Sequence, residues 1–448
     1  MERAARSSSG LTWLAAAFGA AACALAGEIG ADSRWLAAVG AAIVRLGRIP
    51  HAIPYATAPS NGWHDAPALG QLCFHALEVA LGDRGLLLAQ VAAVGVALAA
   101  LAVDLRRAGA RDGAGAAVVL AVVAAVPATF FVVRAQLFSL ALFPVLAAIL
   151  RDDARRPSRR IWLAPPLLAL WANLHGGVLV GAALAGTYLV LHRARRAPRS
   201  TAALLACVAA ALVATPAGLR SVDYYRAVLG GATAATHFGL WAPLSLHSGL
   251  DLLTIAIGLP LLVCALRSRP PAWELVALVA LAAMSVEAQR DAVWLLLLAA
   301  VPAARAFGSA GAGVLSHRTV VLCAFVPVAM LALGAARPVA ASGGGQRLLR
   351  EAARAAHGTP ILADPVDAER LAADGTRIWI GNPLEAFRPA DQRAYLDWLR
   401  GDARGDRVLA HVRVVVTLRG GEPQLRLASD SSFRELDRDA GAVLYGRR

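Results

Sequence analysis

The stretch GLLLAQVAAVGVALAALAV, residues 85–103, decides how the chain is read. It carries no charge and is closed by ionisable residues, Asp83 and Arg84 before it and Asp104, Arg106 and Arg107 after it. An apolar helix of about 20 residues is long enough to cross a hydrocarbon core of ~30 Å. Outward from it the pattern repeats, with candidate spans at 11–27, 85–103, 114–131, 135–150, 161–174, 177–191, 201–217, 250–266, 272–288, 291–307 and 319–337. Two long apolar blocks, 114–150 and 161–191, are each broken by a polar patch, Arg134-Ala135-Gln136 in one and Asn173 to Gly177 in the other. Each therefore reads as a helical hairpin. The expected fold class is an α-helical polytopic membrane protein of about eleven transmembrane helices. A composition 58% hydrophobic and 17% charged agrees with it.

The net charge is +14, and every basic residue is an arginine. A nucleic-acid surface would gather that charge on one soluble face. Here the arginines sit in short loops between apolar runs, so no nucleic-acid partner is expected. Arg106, Arg107, Arg111, Arg151, Arg155, Arg156, Arg159, Arg160, Arg193, Arg195, Arg196, Arg199, Arg267, Arg269, Arg305 and Arg318 fall on one side if the N-terminus is inside. The short turns on the opposite side retain only Arg134, Arg220, Arg226 and Arg290. That asymmetry predicts a multi-pass protein of the cytoplasmic membrane with its N-terminus inside and its C-terminus outside. The run Leu11 to Ala26 ends in Ala24-Leu25-Ala26, which mimics a signal-peptidase site, but the many following spans favour a retained first span. Cys23, Cys73, Cys207, Cys264 and Cys323 form no CxxC pair, so neither a zinc site nor a disulfide framework is indicated.

Beyond Pro338 the composition becomes charged and mixed. The expected division is a polytopic domain over 1–338, a linker over 339–345 containing Ser342-Gly343-Gly344-Gly345, and a soluble extracytoplasmic α/β domain over 346–448. Within the last, helices are expected over 346–357 and 389–400, and strands over 359–363, 376–380, 412–418 and 442–445. No P-loop or GxGxxG occurs.

Candidate functional residues lie at the outer ends of the spans. Glu28 and Asp32 follow the first one, where a carboxylate can act as general base or hold a divalent cation such as Mg or Mn. The plainer reading is a solvated acid near an interfacial tryptophan. Secondary candidates are His64 and Asp65, with His75 and Glu78 downstream; metal binding there competes with ordinary loop polarity. Asn173 and His175, in Trp171-Ala172-Asn173-Leu174-His175-Gly176-Gly177, either bind a phosphate or sugar hydroxyl or satisfy a hairpin turn. Arg134 with Gln136, and Arg290 between Glu287 and Asp291, place guanidinium groups where phosphate oxygens could be gripped, against the alternative of local ion pairs.

Taken in order, these motifs resemble a poorly characterised family of bacterial multispanning proteins in or near the GT-C glycosyltransferase superfamily. The resemblance rests on Asp32-Ser33-Arg34-Trp35, Gly47-Arg48-Ile49-Pro50, Arg134 to Ser139 and, most specifically, Trp171 to Gly177. It covers nearly the whole chain. Two departures stand out: Thr215-Pro216-Ala217-Gly218 replaces an Asn-Pro-Tyr-Gly motif, and Ile380-Gly381-Asn382-Pro383 stands near where the family often carries Asp-Gly-Arg. The resemblance implies a transferase using a polyprenyl-phosphate-linked sugar, with Asp32 as base or metal ligand and Glu28 as its substitute. Arg134, Gln136, Asn173, His175 and Arg290 would then bind the donor phosphate. A non-catalytic scaffold of an envelope-assembly complex, or a transporter of lipid-linked glycans, remains the alternative from sequence.

The arginine asymmetry has a direct test. A reporter active only outside the cytoplasm, fused after Arg448, is expected to be active; activity only from a cytoplasmic reporter at that position would reverse the topology.

Overall fold

The computed structural model describes residues 10–60, 62–307, 317–341 and 343–448. The basic stretch 1–6, Ser342 of the expected linker and the side chains of Arg318 and Cys323 lie outside the described residues. The chain forms two compact units. One comprises Met1–Gly27, Leu87–Thr215 and Leu240–Val339; the other comprises Glu28–Leu86, Pro216–Gly239 and Ala340–Arg448.

The first unit is helical, and every expected span contains a helix, among them Leu11–Ala26, Asp112–Ala125, Leu137–Arg155, Ala164–Leu174, Val178–Tyr188, Ala272–Glu287 and Ala292–Ala306. Among the described residues, Asp83–Arg107 and Gly249–Arg267 are each long and apolar enough to cross a membrane, making two spans, or three if one bent pair counts as a single one. The expected eleven spans are thus present as helices but mostly not as full-length crossings. The causes are local. Pro127 starts a new short helix, Pro127–Phe131, and cuts the run 114–131 in two. A 3-10 turn over Arg159–Leu163 takes up the start of 161–174, and a π turn over Leu189–Arg193 closes 177–191. At ~1.5 Å per residue, an 11-residue helix covers little more than half of the hydrocarbon core.

Surface chemistry fits a lipid setting. Helix Gly249–Arg267 leaves Leu252, Leu253, Leu259 and Val263 exposed. A continuous apolar face of this kind is costly in water and ordinary against acyl chains.

Inside the unit, charge is buried and matched. Arg151 donates from Nε to Glu274 at 2.7 Å, from one terminal nitrogen to Asp104 at 2.8 Å and from the other to the carbonyl of Leu298 at 2.6 Å. The three charged side chains are between 2% and 7% exposed. Arg155 reaches the second oxygen of Asp104 at 3.1 Å. One guanidinium thereby ties helices Asp83–Arg107, Leu137–Arg155, Ala272–Glu287 and Ala292–Ala306 together. Close by in sequence, Asp153 accepts from Tyr188 at 2.6 Å and pairs with Arg193.

The second unit is built from three separated segments of chain. Its sheet runs Ile361–Ala363, Val414–Leu418, Ala442–Arg447, Phe433–Arg438, the first pair parallel and the others antiparallel. The helices Gln346–Ala355 and Pro389–Leu399 match expectation. The expected strand 376–380 does not form as such; Ile378 makes single parallel bridges to Ile361 and to Ala56. The partner there is a distant loop, since Ile378 donates to Tyr55 at 3.0 Å and Ala58 donates to Trp379 at 2.9 Å. Helix Arg34–Leu46 buries Trp35, Leu36, Ala37, Val39 and Ala42. It lies so close to helix Ala68–Leu81 that a Cβ on Gly40 would meet the carbonyl of Gln71 at 2.3 Å. The expected linker is seated rather than loose: Gly344 donates to the Asp367 carboxylate at 2.9 Å and Gly345 to Asp439 at 2.6 Å.

Arg151→Leu is expected to lower stability by ~3–5 kcal/mol, because Asp104 and Glu274 would remain buried without their cation. Thermal unfolding of the detergent-purified chain reads this out, and a transition unchanged from that of the parent would refute it.

Candidate functional site

The first site belongs to the second unit and centres on Asp32. Asp32 links the short strand Glu28–Ile29 to helix Arg34–Leu46 at φ 76°, a left-handed conformation that Asp tolerates better than most residues. The helix that follows begins with free N–H groups, and the side chain of Ser33 does not cap them; it donates to the carbonyl of Gly30 instead. Glu369, from helix Pro365–Ala373, does so from far along the chain. Its carboxyl accepts from the backbone of Asp32 at 2.7 Å, Arg34 at 3.2 Å and Trp35 at 3.4 Å. The amide nitrogen of Asn382 then donates to Asp32 Oδ1 at 2.9 Å and to Glu369 Oε1 at 2.8 Å. Two carboxyls are thus bridged by one NH2 group.

Electrostatics follow from that geometry. Burial, and then the neighbouring Asp32 carboxylate, push Glu369 up to about 8, although its backbone and Asn382 hydrogen bonds oppose the shift. Glu369 is therefore a carboxyl that takes up a proton near neutral pH, within a hydrogen-bond network that includes Asp32.

A divalent cation does not fit this arrangement. The group facing both carboxyls is an amide donor rather than a ligand, and among the described residues no cluster of three or more His, Cys, Asp or Glu side chains is placed to hold a metal. Glu28 is exposed on its strand, beside Ala340, with no side-chain hydrogen bond among the described residues.

The secondary candidates separate. Asp65 is buried and accepts from Gln71 at 2.8 Å; burial above all, with a smaller contribution from Glu385, raises it to about 7. His64 is half-buried and makes no hydrogen bond among the described residues. Glu78 and Asp83 pair with Arg34, at 3.8 and 2.8 Å.

The second cluster lies in the first unit, where the two sequence motifs meet. Trp171 Nε1 donates to Ser139 Oγ at 2.6 Å, and Ser139 Oγ lies 2.6 Å from Nδ1 of His175. His175 occupies the turn between helices Ala164–Leu174 and Val178–Tyr188. Burial, and then the positive charge of Arg290, lower it to about 3, so its imidazole is neutral. Glycine is required nearby by space: a Cβ at Gly177 would meet Ser139 Oγ at 2.7 Å, and one at Gly181 would meet the Trp171 ring at 2.5 Å. Gln136 Nε2 lies 3.5 Å from the carbonyl of Arg290, and the Arg290 guanidinium sits 4.3 Å from the centroid of the Trp241 ring. The Nε atom of Arg134 is buried without a hydrogen-bond partner among the described residues. The side-chain nitrogen of Asn173 donates to the carbonyls of Ala169 and Ala214 at 2.8 and 2.7 Å.

Sequence reasoning missed Glu369 and did not assign a role to Ser139. Ser139 closes the motif that begins at Arg134, which was its available signal; Glu369 sits in an ordinary charged helix and gave none. Asn382 stands in the stretch already marked as a departure, Ile380 to Pro383.

No family model and no curated protein matches the chain. Solved structures do. The chain is similar to arabinofuranosyltransferase AftD from Mycobacteria, with a TM-score of 0.51 and 14% identity over 97% of this chain and 41% of that one. It is also similar to ArnT from Cupriavidus metallidurans, solved bound to undecaprenyl phosphate, with a TM-score of 0.50 and 15% identity over 97% of both chains. Both are GT-C glycosyltransferases, and this chain has their fold. It spans 41% of the AftD chain.

Because the folded-state value of Glu369 lies above its unfolded one, its contribution to stability is complete below about pH 4.5 and is lost as pH rises towards 8. Thermal unfolding temperatures measured from pH 5 to 8 are expected to fall in the parent and to lose much of that slope in Glu369→Gln. Equal slopes in the two proteins would show that Glu369 does not take up the proton.

Proposed function

We propose that this chain is a membrane glycosyltransferase that moves a sugar from a polyprenyl-phosphate donor to an extracytoplasmic acceptor. The observation that carries the reading is the fold shared over 97% of both chains with ArnT, a protein solved with undecaprenyl phosphate bound. The site residues add chemistry that suits it. In this reading Asp32 is the general base. It accepts the proton of an acceptor hydroxyl as that oxygen bonds to the anomeric carbon of the donor sugar. The bond between that carbon and the phosphate oxygen breaks, and the polyprenyl phosphate leaves with the electron pair. Negative charge grows on the leaving phosphate, so donors and cations aimed at it favour the transition state over the ground state.

Arg134, His175 and Arg290 are the groups assigned to that task. Arginine offers paired N–H donors that match phosphate oxygens, and the neutral His175 adds a hydrogen bond without competing for the proton. Gln136 steadies the backbone at Arg290. Glu369 and Asn382 act through Asp32 and are positioning residues. The proposed setting is the outer face of the cytoplasmic membrane. The proposed mechanism assigns no role to a metal ion.

Asp32→Asn keeps the size of the side chain and removes its basicity. Loss of general-base catalysis typically costs ~10²–10⁴-fold in rate. Transfer from a panel of polyprenyl-phosphate sugars should fall by that order, with an unfolding temperature close to that of the parent. Undiminished transfer would dismiss Asp32 as the base. A parent protein that neither binds nor turns over any lipid-linked sugar would favour the scaffold instead.

A further inference from the structure

The contacts around His175 fix which of its nitrogens carries the proton. Trp171 Nε1–H can only donate, so Ser139 Oγ accepts from it at 2.6 Å. The backbone N–H of Gly177 can also only donate, and it points at His175 Nδ1 at 3.2 Å. Nδ1 is therefore an acceptor. The single O–H of Ser139 must then donate to that same Nδ1 across 2.6 Å. With Nδ1 occupied as acceptor in a neutral ring, the proton resides on Nε2. Among the described residues Nε2 makes no hydrogen bond, which leaves it to donate outward. The positive charge of Arg290 acts on the same ring.

We infer that Ser139 is a positioning residue: the relay from Trp171 through Ser139 locks His175 as the Nε2–H tautomer, which presents a neutral donor for a phosphate oxygen beside the Arg290 cation. The inference rests on the proposed function for its ligand, the phosphate of a polyprenyl lipid, and on hydrogen-bond arithmetic alone for the tautomer. It explains why the two motifs ending at Ser139 and beginning at Trp171 occur together: each supplies one end of a three-member chain. It also explains Gly177, where any Cβ would enter the relay at 2.7 Å from Ser139 Oγ and 2.9 Å from His175 Nδ1. A cationic imidazole would need a proton on Nδ1, facing the N–H of Gly177, so the relay selects the neutral form as well.

The test is nitrogen NMR of the full chain in lipid nanodiscs with 15N-labelled histidine, the His175 signals being assigned by their loss in His175→Asn. The expected spectrum shows a protonated Nε2 and an unprotonated Nδ1 at pH 6 and at pH 8. Ser139→Ala should shift the Nδ1 resonance and weaken binding of undecaprenyl phosphate roughly tenfold, and Ser139→Thr, which keeps the hydroxyl, should restore both. Saturating undecaprenyl phosphate should move the Nε2 signal, while undecaprenol should not. Inorganic phosphate moving it equally well at equal concentration would overturn the lipid as ligand. A protonated Nδ1, an imidazolium at pH 6, or a Ser139→Ala spectrum equal to the parent's would overturn the relay. Absence of any undecaprenyl phosphate binding, measured separately, would overturn the proposed donor and the ligand inferred here, and is distinguished from failure of the relay by the ligand-free spectrum.

Discussion

A polar group removed from water must be met by a partner, and each unit is organised around one that is. In the helical unit it is Arg151, which supplies three separate hydrogen bonds to Asp104, Glu274 and the Leu298 carbonyl. Four helices whose apolar faces would tolerate many mutual rotations are thereby held in one register. Apolar packing is non-directional, and a buried guanidinium is not. In the mixed unit the corresponding group is Glu369. It caps helix Arg34–Leu46, receives the N–H of Asp32 and shares Asn382 with it. The position of the proposed base is therefore set by residues more than three hundred positions away in sequence.

Much of the helical part was legible because apolar run length is a direct consequence of bilayer thickness. The interruptions were less so. Pro127 announces itself, but the π turn after Tyr188 leaves no compositional trace. The α/β part was legible where β-branched residues cluster, as in Val414–Leu418. It was illegible where the strand partner is remote: Thr376 to Ile380 has the composition of a strand, yet only Ile378 bridges, to segments on either side. The segment beyond Pro338 differs in composition from what precedes it, and it folds together with Glu28–Leu86 and Pro216–Gly239.

The site shows the same division. Local motifs pointed to Asp32, Arg134 and His175 as candidates, since each stands in a run of unusual residues at a helix end. The partners of Asn173 and Asp65 could not be read from spacing, because spacing does not fix the direction of a hydrogen bond. Asn173 turns to two backbone carbonyls, and Asp65 is buried against Gln71. Glu369 is a charged residue among charged residues, and only the fold reveals that it faces the start of another helix.

The discontinuity of the mixed unit bears on how the protein is made. A ribosome delivers Tyr55 to Ala58 early, but their backbone partners at Ile378 and Trp379 emerge only after 321 further residues, counted from Thr57 to Ile378. During that interval the cap on helix Arg34–Leu46 is absent and the edge at Ala56 is unpaired. The early segment gains these backbone partners only when Ile378 and Trp379 arrive. The geometry around the proposed base therefore forms late: a chain that stops short of Glu369 and Asn382 carries Asp32 without the groups that hold it.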